Sequence, residues 1–285
     1  MPNQHTPTPR SKDVTLVLGG TGKTGRRIAA NLTAKGWPVR VGSRSASLPF
    51  NWDEPDGWAR SLDGVKSVYI NYAPDLAIPG ATDAIRSFVD LAKAKHVKRL
   101  VLLSGRGEEE AQASERIVQA SGLEWTIVRA SWFSQNFSEG AFTDMVKAGV
   151  IALPVGDIGE PFIDVRDIAD VASAALTEDG HVGEVYEVTG PRLMTFADIA
   201  AELSVATGSD IRFVPITHDA FADGIKQSGM PDDVAWLLDY LFTTVLDGRN
   251  ASLNDGVERA LGRKPRDFAD YAAEMAVAGI WEDAA

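Results

Sequence analysis

Short apolar runs alternate with amphipathic stretches over residues 13–130. Runs of β-branched residues and leucine predict strands at 14–18, 39–41, 65–70, 100–103 and 125–128, and a further short one at 50–52. Between them, apolar residues recur at helical spacing, as in Gly25, Ile28, Ala29 and Leu32. This alternation is typical of βαβ units that build a doubly wound parallel sheet with helices on both faces.

Beyond residue 130 the pattern becomes mostly helical. Helices are predicted near 165–177, 195–206, 217–227, 231–246 and 265–278, with a strand near 185–188. The fold class is therefore α/β, a Rossmann doubly wound parallel sheet with a smaller, mostly helical C-terminal substrate or lid domain. We expect a flexible tail at 1–12, the Rossmann domain at 13–155 and the smaller region at 156–285, with segments around 160–190 returning to the sheet.

Composition narrows the function without defining it. The 285 residues carry a net charge of −12, which disfavours nucleic-acid binding, and contain no cysteine, which excludes disulfides and thiolate metal sites. The apolar runs are far shorter than the ~20 residues of a membrane span, and the polar start resembles no signal peptide, so we expect a cytoplasmic protein. Bases nevertheless concentrate early in the chain, at Lys23, Arg26, Arg27, Arg40 and Arg44, which suggests a small anionic ligand.

The glycine-rich segment 19–25 directly follows the first predicted strand and opens the first predicted helix. In this context, Gly20-x-Gly22-x-x-Gly25 is typical of a loop that holds a dinucleotide pyrophosphate at a helix N-terminus. The alternative is a glycine-rich turn without a ligand. A nucleotide-hydrolysing P-loop is excluded because it needs a glycine five positions before Gly22, where Val17 stands.

The end of the second strand indicates which nicotinamide cofactor is preferred. NAD sites usually place an acid there to bind the ribose 2′-hydroxyl, whereas this strand ends in Val41-Gly42-Ser43-Arg44. Arg44 could bind a 2′-phosphate, with Ser43 adding a hydroxyl and Lys23 adding charge. The sequence thus favours NADP(H), and the alternative is a solvated surface arginine.

Several segments resemble the NmrA-like group of atypical short-chain dehydrogenases/reductases, namely GGTGKTGR, VGSRS, FNWDEPDGW, VYINYAP, SGLEWTIVRASWFSQNF, IDVRDIADVASAAL, VYEVTGP and ALGRKPRDFADYA. The pieces FNWDEPDGW and WFSQNF are most similar to the branch named for ergot-alkaloid-biosynthesis reductases. The resemblance covers nearly the whole chain from residue 13. It is specific for fold and dinucleotide binding, and much less so for substrate.

The resemblance implies a set of site residues. NADP(H) would be bound by Gly19, Thr21, Gly22, Lys23, Thr24 and Gly25, and by Ser43 and Arg44. Asn71, Tyr72 and Ala73 would lie beside the adenosine and ribose of the cofactor, and Ser104 and Gly105 would lie near the nicotinamide ribose. Trp132, Phe133 and Asn136 would line the nicotinamide and substrate pocket.

In its catalytic residues, this chain departs from the pattern of typical short-chain dehydrogenases. These enzymes use a Tyr-x-x-x-Lys pair for proton transfer, and residues 105–121 contain neither tyrosine nor lysine. Glu108, Glu109 and Glu110 instead open the helix there, where they suit its positive end. Ser104 and Tyr72 are the remaining catalytic candidates, although Ser104 could equally be a strand-end hydroxyl.

Other polar and aromatic residues are expected to be structural. Asp164, Asp167 and Asp170 fit a helix cap and first turn better than a metal site. The histidines are scattered, and only His218 is weighed as catalytic, against a surface role. Trp236, Tyr240 and Phe242 lie on an amphipathic stretch that suits core packing or an oligomer contact better than substrate contact.

These observations favour an NADPH-dependent reductase of a small, fairly apolar organic molecule: an imine or iminium, a carbonyl, a quinone or an activated alkene. An iminium is attractive because hydride addition to it needs no acid. The alternative is a non-catalytic NADP(H)-binding redox sensor of the NmrA type, and an isomerase or epimerase is a weaker third possibility. We expect a small-molecule substrate, no nucleic-acid or membrane partner, and a monomer or homodimer.

Overall fold

The computed structural model describes residues 12–140 and 142–282, so most of the predicted tail lies outside the described residues. The strands are β1 (Val14–Leu18), β2 (Val39–Gly42), β3 (Val65–Ile70), β4 (Arg99–Gly105), β5 (Glu124–Ala130), β6 (Val150–Leu153), β7 (Glu184–Val188) and β8 (Arg212–Pro215). The helices are α1 (Lys23–Ala34), α2 (Trp58–Ser61), α3 (Ala81–Ala94), α4 (Glu109–Gln119), α5 (Thr143–Lys147), α6 (Val165–Thr177), α7 (Phe196–Thr207), α8 (His218–Ser228), α9 (Asp232–Tyr240), α10 (Gly256–Leu261) and α11 (Phe268–Val277). Within this part of the chain, no helix is both long enough and apolar enough to span a bilayer.

Six strands form one sheet in the order β2-β1-β3-β4-β5-β7. The pairs β1–β2, β1–β3 and β3–β4 are parallel, with Val17 opposite Val41 on one side and Tyr69 on the other. The strand order reverses direction at β1, where the chain first adds β2 and then places β3 on the opposite side. This arrangement confirms the predicted Rossmann-type α/β fold, whose ligands bind at the carboxyl ends of the strands near such a reversal.

The chain divides into two compact units, each built from separate segments. The first unit contains the described residues up to Arg129, Ile168–Glu187 and Gly256–Arg263. Its core lies between the sheet and α3, where the fully buried strand residues Leu16, Val68 and Leu100 pack with Ile85 and Phe88 of the helix. Because the apolar helical positions predicted from the sequence are the buried ones, α3 owes its place to its amphipathic face.

The second unit contains the described residues of Ala130–Asp167 and Val188–Asp255, and those from Lys264 onward. Its core is aromatic, with Phe137, Phe162, Phe196 and Phe268 meeting edge-on or tilted at ring-centroid distances of 5.4–6.3 Å. The parallel strands β6 and β8 form a separate small sheet in this unit. The sequence pattern predicted neither of these two strands.

The short strand predicted at 50–52 is wrong. Phe50 and Trp52 instead belong to a cluster of rings with Trp58 and Phe88, at centroid distances of 5.1–6.0 Å. The Trp58 indole N–H donates to the carbonyl oxygen of Asn51 at 2.8 Å, which fixes the segment as an irregular turn. Its apolar residues are therefore buried by packing rather than by strand pairing.

Candidate functional site

The glycine loop lies between the end of β1 and the start of α1. Gly19 has a φ of 62°, and the N–H of Gly22 donates to its carbonyl oxygen at 2.8 Å, which closes a tight turn. A Cβ atom at Gly25 would lie only 2.2 Å from that same oxygen. A side chain is therefore excluded at Gly25 because the first turn of α1 packs directly on the loop.

The start of α1 is polar but lacks an internal cap. Gly22 occupies the cap position without a side-chain hydrogen bond, and the first turn contains no acidic residue. By contrast, α7 begins with a complete capping box formed by Thr195 and Asp198. An N-terminus of this kind, approached by a glycine turn, has the partial positive charge and the backbone donors that bind an anion.

Thr24 holds the loop to the sheet. Its hydroxyl oxygen accepts a hydrogen bond from the Tyr69 hydroxyl at 3.0 Å, and both side chains are buried. Burial raises the pKa of Tyr69, so this phenol remains a neutral donor. Since Tyr69 lies on β3, the bond links the helix start to the neighbouring strand of the sheet.

At the end of β2, two arginines have different surroundings. Arg40 donates to the carbonyl oxygens of Ser61 and Asp63, at 2.7 Å each, and so supports the backbone between α2 and β3. Arg44 is exposed and forms no ion pair with another described residue. Ser43 is buried and borders a cavity of about 640 Å³ that Thr21 also lines. Arg44 is thus the available cation at this strand end.

The segment after β3 borders the glycine loop. A Cβ atom at Gly19 would lie 2.5 Å from Nδ2 of Asn71, so the two residues are in close contact. Trp52 donates its indole N–H to the carbonyl oxygen of Asn71 at 3.0 Å, and its ring lies 4.9 Å from that of Tyr72. Burial and the charge of Asp53 raise the pKa of Tyr72, while Ala73 is exposed.

Ser104, at the end of β4, is engaged in a buried polar network. Its hydroxyl donates to Glu115 of α4 at 2.6 Å, and Arg129 donates to both oxygens of the same carboxylate at 2.9 and 2.5 Å. Arg129 also donates a hydrogen bond to Glu187 at 2.6 Å, and Glu187 accepts a second hydrogen bond from Arg106 at 3.3 Å. Glu115 is the residue that sequence reasoning missed, because its partners come from other elements. The network gives the Ser104 hydroxyl a structural partner.

Gly105 and Glu108 form a second feature at the same strand end. Glu108 precedes α4 as its cap residue, yet its side chain makes no cap hydrogen bond. Instead, it lies against Gly105, where a Cβ atom would be 2.1 Å from Oε1, and it is hydrogen-bonded to Asp75. Glu108 thus stands at the start of α4 as expected, but its side chain does not cap the helix, and Glu109 and Glu110 occupy the first turn.

Of the pocket residues proposed in the second unit, Trp132 and Phe133 directly precede the short helical turn Ser134–Phe137 and Asn136 lies within it. The Trp132 ring is half-buried and stacks on Phe142 at 6.3 Å, with Phe242 at 5.4 Å. Phe133 forms an isolated parallel β-bridge with Ile163. The carbonyl oxygen of Phe133 accepts a hydrogen bond from the N–H of Asn136 at 3.1 Å. Trp132, Phe133 and Asn136 thus lie on one connected segment. The Trp132 ring and its neighbours Phe142 and Phe242 form an aromatic surface there, which we call the aromatic wall.

The aspartates at 164, 167 and 170 each have an arginine partner. Asp164 pairs with Arg166 and caps α6 by accepting its N–H at 2.7 Å. Asp167 pairs with Arg266, and Asp170 pairs with Arg263. Among the described residues, no cluster of three or more metal-ligating side chains occurs.

His181 and His218 differ in exposure, and so do the aromatic residues at 236–242. His181 is buried against the Tyr186 hydroxyl at 2.8 Å, and His218 is exposed at the first turn of α8. Trp236 stacks on Tyr240 at the surface, 5.3 Å between ring centroids, whereas Phe242 is buried in the aromatic core.

A dinucleotide fits the residues present in the first unit. The backbone-only surface at Gly19 and Gly22, together with the uncapped start of α1, suits a pyrophosphate. The exposed Arg44 suits a further phosphate on the β2 side, and Asn71 lies on the β3 side of the loop.

Comparison with known proteins agrees with this geometry. The model of an NAD(P)H-binding family matches residues 19–179. Festuclavine synthase II of Penicillium roqueforti is 34% identical over 281 residues, covering 90% of this chain and 96% of that protein. Prestalk A differentiation protein A of Dictyostelium discoideum is 30% identical over 276 residues, covering 91% of each.

Among solved structures, the chain resembles an NADPH-dependent quinone oxidoreductase of Escherichia coli complexed with NADPH. The TM-score is 0.77 at 21% identity, over 92% of this chain and 99% of that one. At this identity, the likeness shows that the fold is shared.

Proposed function

The chain belongs to the NAD(P)H-binding, NmrA-like family of atypical short-chain dehydrogenases/reductases, and from this premise we propose that it is an NADPH-dependent reductase of a small, fairly apolar organic acceptor. The family and the nicotinamide cofactor predicted from the sequence are confirmed, as is the class of NAD(P)-dependent oxidoreductases. The preference for NADPH, the residue roles and the acceptor are our proposals.

The observation that carries the proposal is the glycine loop on the uncapped start of α1. The loop exposes backbone where side chains would stand, and Gly25 lets the helix N-terminus approach the bound anion. Gly19, Thr21, Gly22, Lys23, Thr24 and Gly25 would hold the pyrophosphate. The bound cofactor supplies a hydride, and the protein supplies its orientation and a pocket that excludes water.

The preference for NADPH rests on Arg44. This exposed guanidinium has no ion-pair partner among the described residues, so it is available for a 2′-phosphate, and the nearby Ser43 adds a hydroxyl. The remainder of the cofactor would be bordered by two groups of residues. These are Asn71, Tyr72 and Ala73 after β3, and Ser104 and Gly105 at the end of β4.

The acceptor class rests on the aromatic wall and on the related proteins. Trp132 and Phe133 present ring surface, and Asn136 adds a polar group on the same segment. One relative is named for synthesis of festuclavine, and the structural neighbour is named for quinone reduction. An imine or iminium, a carbonyl, a quinone or an activated alkene is therefore the substrate class we propose.

The test combines cofactor binding with turnover. NADPH and NADH are titrated by the change in nicotinamide fluorescence, and NADPH oxidation is then followed by absorbance over a panel of imines, quinones, aldehydes and enones. We expect tighter binding of NADPH and turnover of at least one acceptor. Gly22→Trp, which fills the loop, should abolish both, whereas Gly57→Trp should not, since a Cβ atom there meets nothing within 4 Å.

A redox sensor of the NmrA type is the second candidate function. It is favoured by the absence of tyrosine and lysine from residues 105–121 and by the engagement of Ser104 with Glu115. Tight NADP(H) binding without turnover of any acceptor in the panel would support the sensor and refute the reductase.

A further inference from the structure

Two carboxyl groups meet at the carboxyl edge of the sheet, between the segments that follow β3 and β4. Asp75 and Glu108 are hydrogen-bonded to each other, and Glu108 is 6% exposed. The N–H of Ala77 donates to Asp75 Oδ1 at 2.9 Å. Among the described residues, Glu108 Oε2 is buried without a hydrogen-bond partner. A buried carboxylate oxygen without a donor is costly, so the pair is built to carry a proton.

The backbone is shaped around this pair. Gly105 leaves the space that the Glu108 carboxyl occupies, because a Cβ atom there would lie 2.1 Å from Oε1 and 2.4 Å from Oε2. Burial raises the pKa of Glu108 well above its usual value, and burial also raises the pKa of Asp75. Three acids raise the pKa of Glu108 further, namely Asp75 after β3 and Glu110 and Glu115 on α4.

The position of the pair relative to the glycine loop follows from the strand order. β3 and β4 lie on the side of β1 opposite to β2, and adjacent strands are about 4.8 Å apart. A dinucleotide whose pyrophosphate lies at the glycine loop places its adenosine half towards the end of β2. The nicotinamide half must then extend towards the ends of β3 and β4, where Asp75 and Glu108 lie.

We propose that Glu108, buried beside Asp75 and packed against Gly105, is the proton donor of the reaction, in place of the missing Tyr-x-x-x-Lys pair. This inference rests on the proposed reductase function. With a carbonyl acceptor, the carbon takes the hydride from the reduced nicotinamide and the C=O π pair moves to oxygen. The oxygen takes the proton of Glu108, leaving an alcohol, oxidised cofactor and a Glu108 carboxylate that solvent reprotonates. Asp75 acts as a positioning residue, because it holds the proton on the pair.

The first test detects the protonated carboxyl group of Glu108 in the protein without cofactor. Infrared difference spectra between wild type and Glu108→Gln at neutral pH should show the C=O stretch of a protonated carboxylic acid that the variant has lost. Glu109→Gln is the matched control, because Glu109 is exposed and its removal should leave that band unchanged. A band that is absent at neutral pH in wild type would overturn the proposal.

The second test compares two acceptors. Reduction of a carbonyl needs a proton, whereas reduction of an N-alkylated iminium cation needs the hydride alone. Glu108→Gln should lower kcat for the carbonyl about 10²-fold or more, with much less effect on the iminium and with unchanged affinity for NADPH. Equal losses with both acceptors, or wild-type turnover of the iminium but of no carbonyl, would overturn the donor role and leave the reductase function standing.

The pH profile separates donation from a structural effect. In wild type, kcat for the carbonyl should fall as the pH rises through the pKa of Glu108. Asp75→Asn should move that fall to lower pH, because it removes an acid that raises this pKa. An unmoved profile would refute the pairing. Absence of wild-type turnover with every acceptor would instead refute the reductase function, and the donor role with it.

Discussion

Replacement of Gly25 by alanine tests the central feature of the site with one added carbon. The new Cβ atom would lie 2.2 Å from the carbonyl oxygen of Gly19 and 2.9 Å from Cα of Gly20. Carbon–oxygen contacts are ordinarily about 3.3–3.6 Å, so the loop must move by about 1 Å relative to the helix. Overpacking of this kind costs about 1–3 kcal/mol, of which up to about 1 kcal/mol is offset by the better helix propensity of alanine.

The displaced loop should weaken cofactor binding more than it weakens the fold. Each hydrogen bond to a charged group contributes about 1.5–3 kcal/mol, so misalignment of one donor raises the Kd for NADPH about 10- to 100-fold. The net cost to the fold is at most about 3 kcal/mol, so the Tm should fall by no more than about 12 °C, given about 2–4 °C per kcal/mol for chains of comparable size. Fluorescence titration and thermal unfolding of the same preparations measure both.

Gly224→Ala is the matched control. It lies in α8, is exposed, and has nothing within 4 Å of the added Cβ atom. This variant should bind NADPH as wild type does and gain up to about 1 kcal/mol of stability. Wild-type affinity in Gly25→Ala, or an equal loss of affinity in Gly224→Ala, would show that close packing of the loop against α1 does not form the phosphate site.

Three further predictions concern single side chains. Arg44→Ala should raise the Kd for NADPH about 10- to 100-fold and leave that for NADH unchanged, in parallel titrations; equal effects on the two cofactors would contradict a 2′-phosphate contact. Ser104→Ala should lower the free energy of unfolding in urea by about 1–3 kcal/mol, because buried Glu115 loses a donor, whereas exposed Ser45→Ala should not. The pKa of Glu108 is higher in the folded protein than in the unfolded chain, so the stability of wild type falls as the pH rises from the lower pKa to the higher one. Over that pH range, Glu108→Gln should become increasingly stable relative to wild type. A difference in unfolding free energy that is independent of pH would argue against a raised pKa.

The βαβ architecture and the cofactor loop can be predicted from the sequence without the structure. Both are local patterns, since the apolar spacing of α1 and α3 decides which face is buried, and a glycine loop between a strand and a helix needs no distant partner. The strand predicted at 50–52 failed for the complementary reason. Its apolar residues satisfy a strand pattern, but their burial comes from rings contributed by Trp58 and Phe88, which periodicity does not report.

The polar contacts near the predicted site depend on tertiary contacts that the sequence pattern does not predict. Asp75 and Glu108 become partners because β3 and β4 are neighbours in the sheet, and nothing in the local sequence around either residue records that adjacency. In the same way, Glu115 accepts a hydrogen bond from the hydroxyl of Ser104 because α4 packs beside β4. Hydrophobic periodicity sets which residues are buried, whereas strand order sets which buried polar groups meet, and the second depends on contacts between residues far apart in the chain.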